Sequence, residues 1–225
     1  MDFTSHHPKE SWLRRAGVRL CRRWWLKAII MAFGMTVFFA VYFRVLNHPQ
    51  FPVTIMPLTA IDRLIGFQPR TLYLYLSLWF YVTLAPALLS DRQEIISYAL
   101  AAIVLSAIGL GIFFLWPTSV PQPDVDWSRY PEFAFLKSAD APGNACPSLH
   151  VAFAVFTAVW LERLLRRLGA GYCARGFNWL WCLGIVYSTV AIHQHVFLDA
   201  LAGAMLGAMV AALHLRWLGV RPISA

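Results

Sequence analysis

The sequence predicts an all-α integral membrane protein, with six transmembrane helices preceded by a basic amphipathic helix at the membrane surface. Three observations support this. Of the 225 residues, 59% are hydrophobic and 13% charged, whereas soluble domains carry roughly 45 to 50% apolar residues; the mean hydropathy is +0.58. The apolar residues gather in runs close to the about 17 to 25 residues a helix needs to cross a bilayer. Lysines and arginines cluster at alternate ends of these runs, the asymmetry that orients membrane helices. The net charge of +8 therefore suits anionic lipid headgroups. The cations adjoin apolar runs and form no nucleic-acid-binding motif, so no nucleic-acid partner is expected.

The chain divides into a basic amphipathic segment, residues 1–27, and a six-span domain, residues 28–225. In the first, Arg14, Arg15, Arg19 and Arg22 interleave with Trp12, Leu13, Val18 and Leu20, the pattern of an interfacial helix. A cleavable signal peptide is not expected, because the apolar stretch that follows is long and no small-residue cleavage site closes it. The first span is expected from Ala28 to Val45. Asn47 to Arg70, broken by Pro52, Pro57 and Pro69 and charged at Asp62, Arg63 and Arg70, is expected to lie at the surface. A second span runs from Thr71 to Leu89, with a kink expected at Pro86. The polar link Ser90 to Glu94 turns it back into a third, Ile95 to Trp116.

The longest polar connection, Pro117 to Ala145, holds five of the 13 prolines, and loops of this length are usually functional. It leads into Cys146-Pro147-Ser148-Leu149-His150, where Pro147 suits a first helical turn and Ser148 a cap. The fourth span that opens there ends near Arg166. The fifth, Phe177 to Ile192, and the sixth, Val196 to Trp217, flank the corner His193-Gln194-His195. With the N-terminus inside, the cytoplasmic segments hold Lys9, Arg14, Arg15, Arg19, Arg22, Arg23, Lys27, Arg92, Arg163, Arg166, Arg167, Arg175, Arg216 and Arg221. Arg44, Arg63, Arg70, Arg129 and Lys137 lie outside, so fourteen of the 19 cations are cytoplasmic. Both termini are expected in the cytoplasm, and His150 and His195 at the exterior (periplasmic or lumenal) face.

His195 and Asp199 are four residues apart and share a helical face. A carboxylate that accepts the Nδ1 proton fixes the imidazole tautomer and leaves Nε2 free as nucleophile or base. Asp199 needs such a partner, because a charge inside an apolar span costs about 2.5 kcal/mol or more unless paired or wetted. His150 supplies a second imidazole.

Pro147-Ser148-Leu149-His150, followed by Ser188-Thr189 and by His195-x3-Asp199, resembles the type 2 phosphatidic acid phosphatase superfamily of membrane lipid phosphatases and phosphotransferases. The pattern of that superfamily is Pro-Ser-x-His and then Ser-[Arg/Thr]-x5-His-x3-Asp. The Ser-Thr form is most similar to the inositol phosphorylceramide synthase branch; the phosphatases carry Ser-Arg. The resemblance implies that His195 attacks phosphorus to form a phosphohistidine, Asp199 orients it, and His150 protonates the leaving oxygen. The residue types agree, since a lipid alkoxide leaves poorly without a general acid. Ser148, Ser188, Thr189 and the N–H groups opening span four are candidates to hold phosphoryl oxygens. No metal or cofactor is expected.

The chain departs from the pattern in two ways. The phosphatases also carry Lys-x6-Arg-Pro upstream, which has no counterpart here, and Thr189 replaces their Arg. Lys137 and Arg129 are candidate substitutes for the missing cations. A phosphodiester monoanion needs such charge less than a phosphomonoester dianion, which leans the substrate toward a headgroup diester or a diphosphate. A haloperoxidase shares the superfamily's site, but the missing cations and six spans argue against one. His193, outside the motif spacing, is read as a rim residue. Asp124-Val125-Asp126 has the form of a glycosyltransferase metal site and is read as chance, and Cys21, Cys146, Cys173 and Cys182 lack metal-binding spacing. The expected partners are a lipid phosphate substrate, membrane lipids and a hydroxyl-bearing acceptor or water. The contrasting class is a non-catalytic lipid-binding or transport protein.

Overall fold

The computed structural model describes residues 11–134, 136 and 144–220, and it is built almost entirely of helices. Helix α1, Trp12–Cys21, is capped by Ser11, whose Oγ accepts from the Arg14 N–H at 3.3 Å, and none of its residues is buried. The basic segment is not one helix to Lys27. Arg23 takes the left-handed conformation, φ 54°, and helix α2, Trp24–Asn47, begins at once. Trp24, Trp25 and Lys27 therefore belong to the first long helix. Lys27 is buried where its Nζ donates to the Arg19 carbonyl at 2.7 Å and to the Ala87 carbonyl at 2.6 Å.

After α2 come the short surface helix α3, Ala60–Ile65, then α4, Leu72–Leu76, and α5, Leu78–Leu88. Ser77 separates α4 from α5; its Oγ donates to the Leu74 carbonyl at 2.6 Å and accepts from Trp181 Nε1 at 2.8 Å. Pro86 falls in the last turn of α5 rather than its middle. Helix α6, Arg92–Leu115, starts earlier than its apolar run because Asp91 caps it, accepting from the Gln93 and Glu94 N–H groups at 2.7 and 3.3 Å. Helices α7, Leu149–Leu168, α8, Tyr172–Ala191, and α9, Phe197–Val220, complete the order.

Four helical stretches are long and apolar enough to cross a membrane: Trp24–Asn47, Pro69–Leu88, Arg92–Leu115 and Phe197–Trp217. Several such helices are what an integral membrane protein requires. Among the described residues, α7 and α8 fall short by composition, and the packing shows why. Helix α7 lies inside the bundle, against α5, α8 and α9, and is buried from Leu149 through Phe156 and Trp160 to Leu168. A helix covered by protein need not match lipid. Helix α8 carries Asn178, buried, which donates to the Ala158 carbonyl at 3.0 Å and accepts from the Tyr81 hydroxyl at 2.7 Å. Buried amides of this kind require such partners.

Glycine permits a close helix crossing. A Cβ at Gly203 would collide with the Ser148 carbonyl, and one at Gly207 with the Ala152 carbonyl. This small-xxx-small spacing lets α9 press against the backbone of α7. At the same end of the bundle, strands β1, Thr54–Ile55, and β2, Thr118–Ser119, pair in parallel, and Thr118 bridges to Asn144. The Ala145 N–H donates to the Thr118 carbonyl at 3.0 Å and the Cys146 N–H to the Thr118 Oγ1 at 2.7 Å. Two loops thus clasp the lead into α7.

Candidate active site

The two motifs meet at that end. Ser148 is the N-cap of α7, with its Oγ accepting from the Val151 N–H at 3.4 Å, so Pro147 precedes the cap rather than occupying the first turn. The Ser148 N–H donates to the Asp199 carbonyl at 3.0 Å, tying one motif to the other. His150 is held by aromatic side chains. Its ring stacks on Tyr75, centroids 4.4 Å apart and 16° between planes, and meets Trp79 edge-on at 5.8 Å. The Tyr75 hydroxyl lies 3.5 Å from His150 Nδ1. With the phenol on that side, Nε2 is the nitrogen left to act; it is buried and has no hydrogen-bond partner among the described residues.

His195 sits at the corner before α9, its N–H donating to the Thr189 carbonyl at 3.2 Å. Its Nδ1 is 3.6 Å from Asp199 Oδ2, within ion-pair reach but longer than a hydrogen bond. Asp199 is wholly buried. Its Oδ2 accepts from the Val196 N–H at 3.0 Å, while Oδ1 has no partner among the described residues. The His150 and His195 rings are 6.4 Å apart between centroids. One imidazole beside a carboxylate thus stands near another beside a phenol, and such a pair can supply a nucleophile and a proton donor.

Ser188 and Thr189 are placed close by but engaged otherwise. Both are fully buried, and their hydroxyls donate to the Ile185 carbonyl at 2.7 and 2.8 Å. Their own carbonyls accept from Ile192 and His195, so both shape the corner. Arg129 is exposed and paired with Asp126, Nε to Oδ2 3.0 Å. Asp126 itself serves a local turn: hydrogen bonds from Ser128, side chain before backbone, hold its carboxyl below the usual range. Lys137 lies outside the described residues. Among the described residues no cluster of His, Cys, Asp and Glu could hold a metal ion.

Cys146 lies beside Asp199. Burial, and then that carboxylate, push its thiol up to about 11, so it stays protonated at neutral pH and is not a nucleophile. His193 is left-handed, φ 60°; burial lowers its pKa, against the pull of the Asp62 carboxylate and the Gly66 backbone.

Sequence reasoning missed several residues here. Asp62 is buried in α3; its Oδ2 accepts from the Thr59 N–H and hydroxyl, both at 2.7 Å, and its Oδ1 from the Phe197 N–H at 2.7 Å. A surface loop therefore grips the start of α9. Its signal was the capping box Thr59-x-x-Asp62, which shows a short helix but not its distant contact. Tyr75 and Trp79, four apart on the second span, signal only a shared aromatic face. A cavity of about 240 Å³ opens beside His195, lined among others by Asp62, Arg63, Pro121, Asp124 and His193.

The site thus brings together two imidazoles, one beside a carboxylate and one beside a phenol, at one end of a helical bundle. The family profile of the PAP2 superfamily matches residues 94–222, more than half the chain, and the protein belongs to that superfamily. Comparison with curated proteins gave no match, and comparison with solved structures gave none either. Proteins of this superfamily are generally phosphatases acting on lipid phosphates.

Proposed function

We propose that this protein is a six-span membrane enzyme that cleaves a lipid phosphodiester or diphosphate through a phosphohistidine at His195 and passes the phospho group to a hydroxyl acceptor or water. The observation that carries this is the pairing of His195 and Asp199 opposite His150, at 6.4 Å between rings. His195 Nε2 attacks phosphorus and forms the N–P bond as the P–O bond to the leaving group breaks; the proton on His150 Nε2 goes to the departing oxygen. Asp199 stabilises the positive charge that develops on His195. In the second step an acceptor hydroxyl gives its proton to His150, attacks phosphorus and breaks the N–P bond.

The Leu149 and His150 N–H groups at the start of α7 face the same end and suit phosphoryl oxygens. Ser148, Ser188 and Thr189 support that end through their backbone and cap. Thr189 in place of the phosphatases' arginine favours transfer and a monoanionic phosphate. Helices α7, buried in the bundle, and α8 complete the six spans, and the asymmetry of the cations supports an orientation with both termini in the cytoplasm and the site at the exterior face. Helix α1, with its cations and the exposed Leu13, Val18 and Leu20, lies in the cytoplasmic interface.

The test is turnover. The full chain in lipid nanodiscs, given radiolabelled phosphatidylinositol, phosphatidic acid and polyprenyl diphosphate with and without diacylglycerol or ceramide, is expected to convert a diester or diphosphate and to make a transferred product when an alcohol is present. Acceptor-independent phosphate release from phosphatidic acid would make it a phosphatase. No turnover of any phosphate would make it a binding protein.

A further inference from the structure

We infer that Arg63, on the short helix α3, is the cation that binds the substrate's phosphate, so that this loop supplies the charge which the expected motif positions lack. The inference rests on the phosphoryl-transfer reading above. A phosphate must find a positive group near the nucleophile, yet Thr189 stands where the related phosphatases have arginine and its hydroxyl is bonded to the Ile185 carbonyl. Arg129, the described candidate from the sequence, is bound to Asp126 and does not line the cavity at His195. Arg63 does line that cavity, with His193 and His195. Among the described residues it makes no ion pair, and its side chain is exposed.

The neighbouring residue explains how a surface helix can hold a charge in register with the nucleophile. Asp62 binds the Phe197 N–H at 2.7 Å while Asp199 binds the Val196 N–H at 3.0 Å, so the first turn of α9 is gripped by one carboxylate from α3 and one from α9. Helix α3 is thereby fastened two residues from His195. The Asp62 charge is taken up by Thr59 and Phe197, which leaves Arg63 unneutralised by it. Asp124, exposed in the same cavity wall, makes no ion pair with Arg63 and is placed to accept from headgroup hydroxyls. At about 240 Å³ the cavity is below the roughly 300 Å³ at which ligand pockets begin. It suits a phosphate and part of a polar headgroup rather than acyl chains. A guanidinium holds phosphate oxygens in a bidentate fork that a lysine does not reproduce.

The experiment measures protection of His195 from diethyl pyrocarbonate by inorganic phosphate, read by mass spectrometry on the full chain in nanodiscs. Wild type is expected to be protected, and Arg63→Gln to need at least about tenfold more phosphate, the loss typical of a charge-assisted hydrogen bond. Arg63→Lys is expected to fall between the two, and Arg70→Gln, at the same end of the bundle, to match wild type. Equal melting temperatures show that the variants are folded. Unchanged protection in Arg63→Gln, or a loss in Arg129→Gln instead, overturns the assignment while leaving the phosphoryl site standing. Absence of protection in wild type overturns both.

Discussion

His150 and His195 are chemically alike, and what separates the roles proposed for them is the neighbour of each ring. A carboxylate lies 3.6 Å from His195 Nδ1, placed to stabilise the charge that the proposed nucleophile carries after attack. His150 instead has a phenol hydroxyl 3.5 Å from Nδ1, stacks on the Tyr75 ring and meets Trp79 edge-on, which leaves Nε2 to carry the proton in the proposed acid role. Substitutions are expected to split accordingly. His150→Ala should slow cleavage of a lipid ester by about 10² to 10⁴ and lose far less with a nitrophenyl leaving group, which needs no proton; equal losses on both substrates would remove His150 from the acid role. The proximity of His195 and Asp199 was legible from their spacing, but not as a shared helical face: His195 lies in the corner before α9, which begins at Phe197. The aim of Ser188 and Thr189 was not legible. Their hydroxyls compete for the carbonyl a turn behind, and sequence does not say which bond wins. The neighbours of His150 come from another helix, and Tyr75 has no local mark of that encounter.

The helices were mostly readable, because each apolar run is long and each link polar. Their ends moved where capping decided them: Asp91 starts α6 early, and Arg23 in a left-handed conformation starts α2 before its apolar run. Helices α7 and α8 were harder to interpret, since α7 meets mostly protein and the two hold Glu162 and Asn178 through specific partners. The crossing of α7 and α9 was written in Gly203-x3-Gly207, a spacing whose meaning depends on knowing which helix faces it. That crossing packs the start of α7, which carries His150, against α9, which follows directly on His195. Gly203→Ala is therefore expected to push α9 off the Ser148 carbonyl, to destabilise the protein by about 1 to 3 kcal/mol, and to reduce turnover by about 10². Thermal unfolding and kinetics on the same preparation check this; wild-type turnover with an unchanged melting temperature would mean the crossing does not position the site.

Across the molecule, the loops after α2 and α6 and the start of α7 converge at one end of the bundle, and the basic ends gather at the other. Arg167 pairs with Glu94 at 2.6 Å and Arg175 with Glu162 at 2.6 Å at that basic end. The orientation read from charge puts that basic end in the cytoplasm, and the native cysteines test it. Cys21 and Cys173 are exposed, whereas Cys146 and Cys182 are buried. In intact cells an impermeant maleimide is expected to leave wild type unlabelled, to label it after permeabilisation, and to label a Gln50→Cys variant from outside. Labelling of Cys173 in intact cells would put the histidines on the cytoplasmic side.

The identity of the nucleophile remains the decisive point, and it can be read chemically. Full-length protein is mixed with the ³²P-labelled lipid that it turns over, quenched in alkali to preserve an N–P bond, digested, and the labelled peptide sequenced by mass spectrometry. The mechanism requires an acid-labile phosphoryl group on His195, absent from His195→Ala and still formed from an activated substrate in His150→Ala. Label on another residue, or undiminished turnover by His195→Ala, would contradict it.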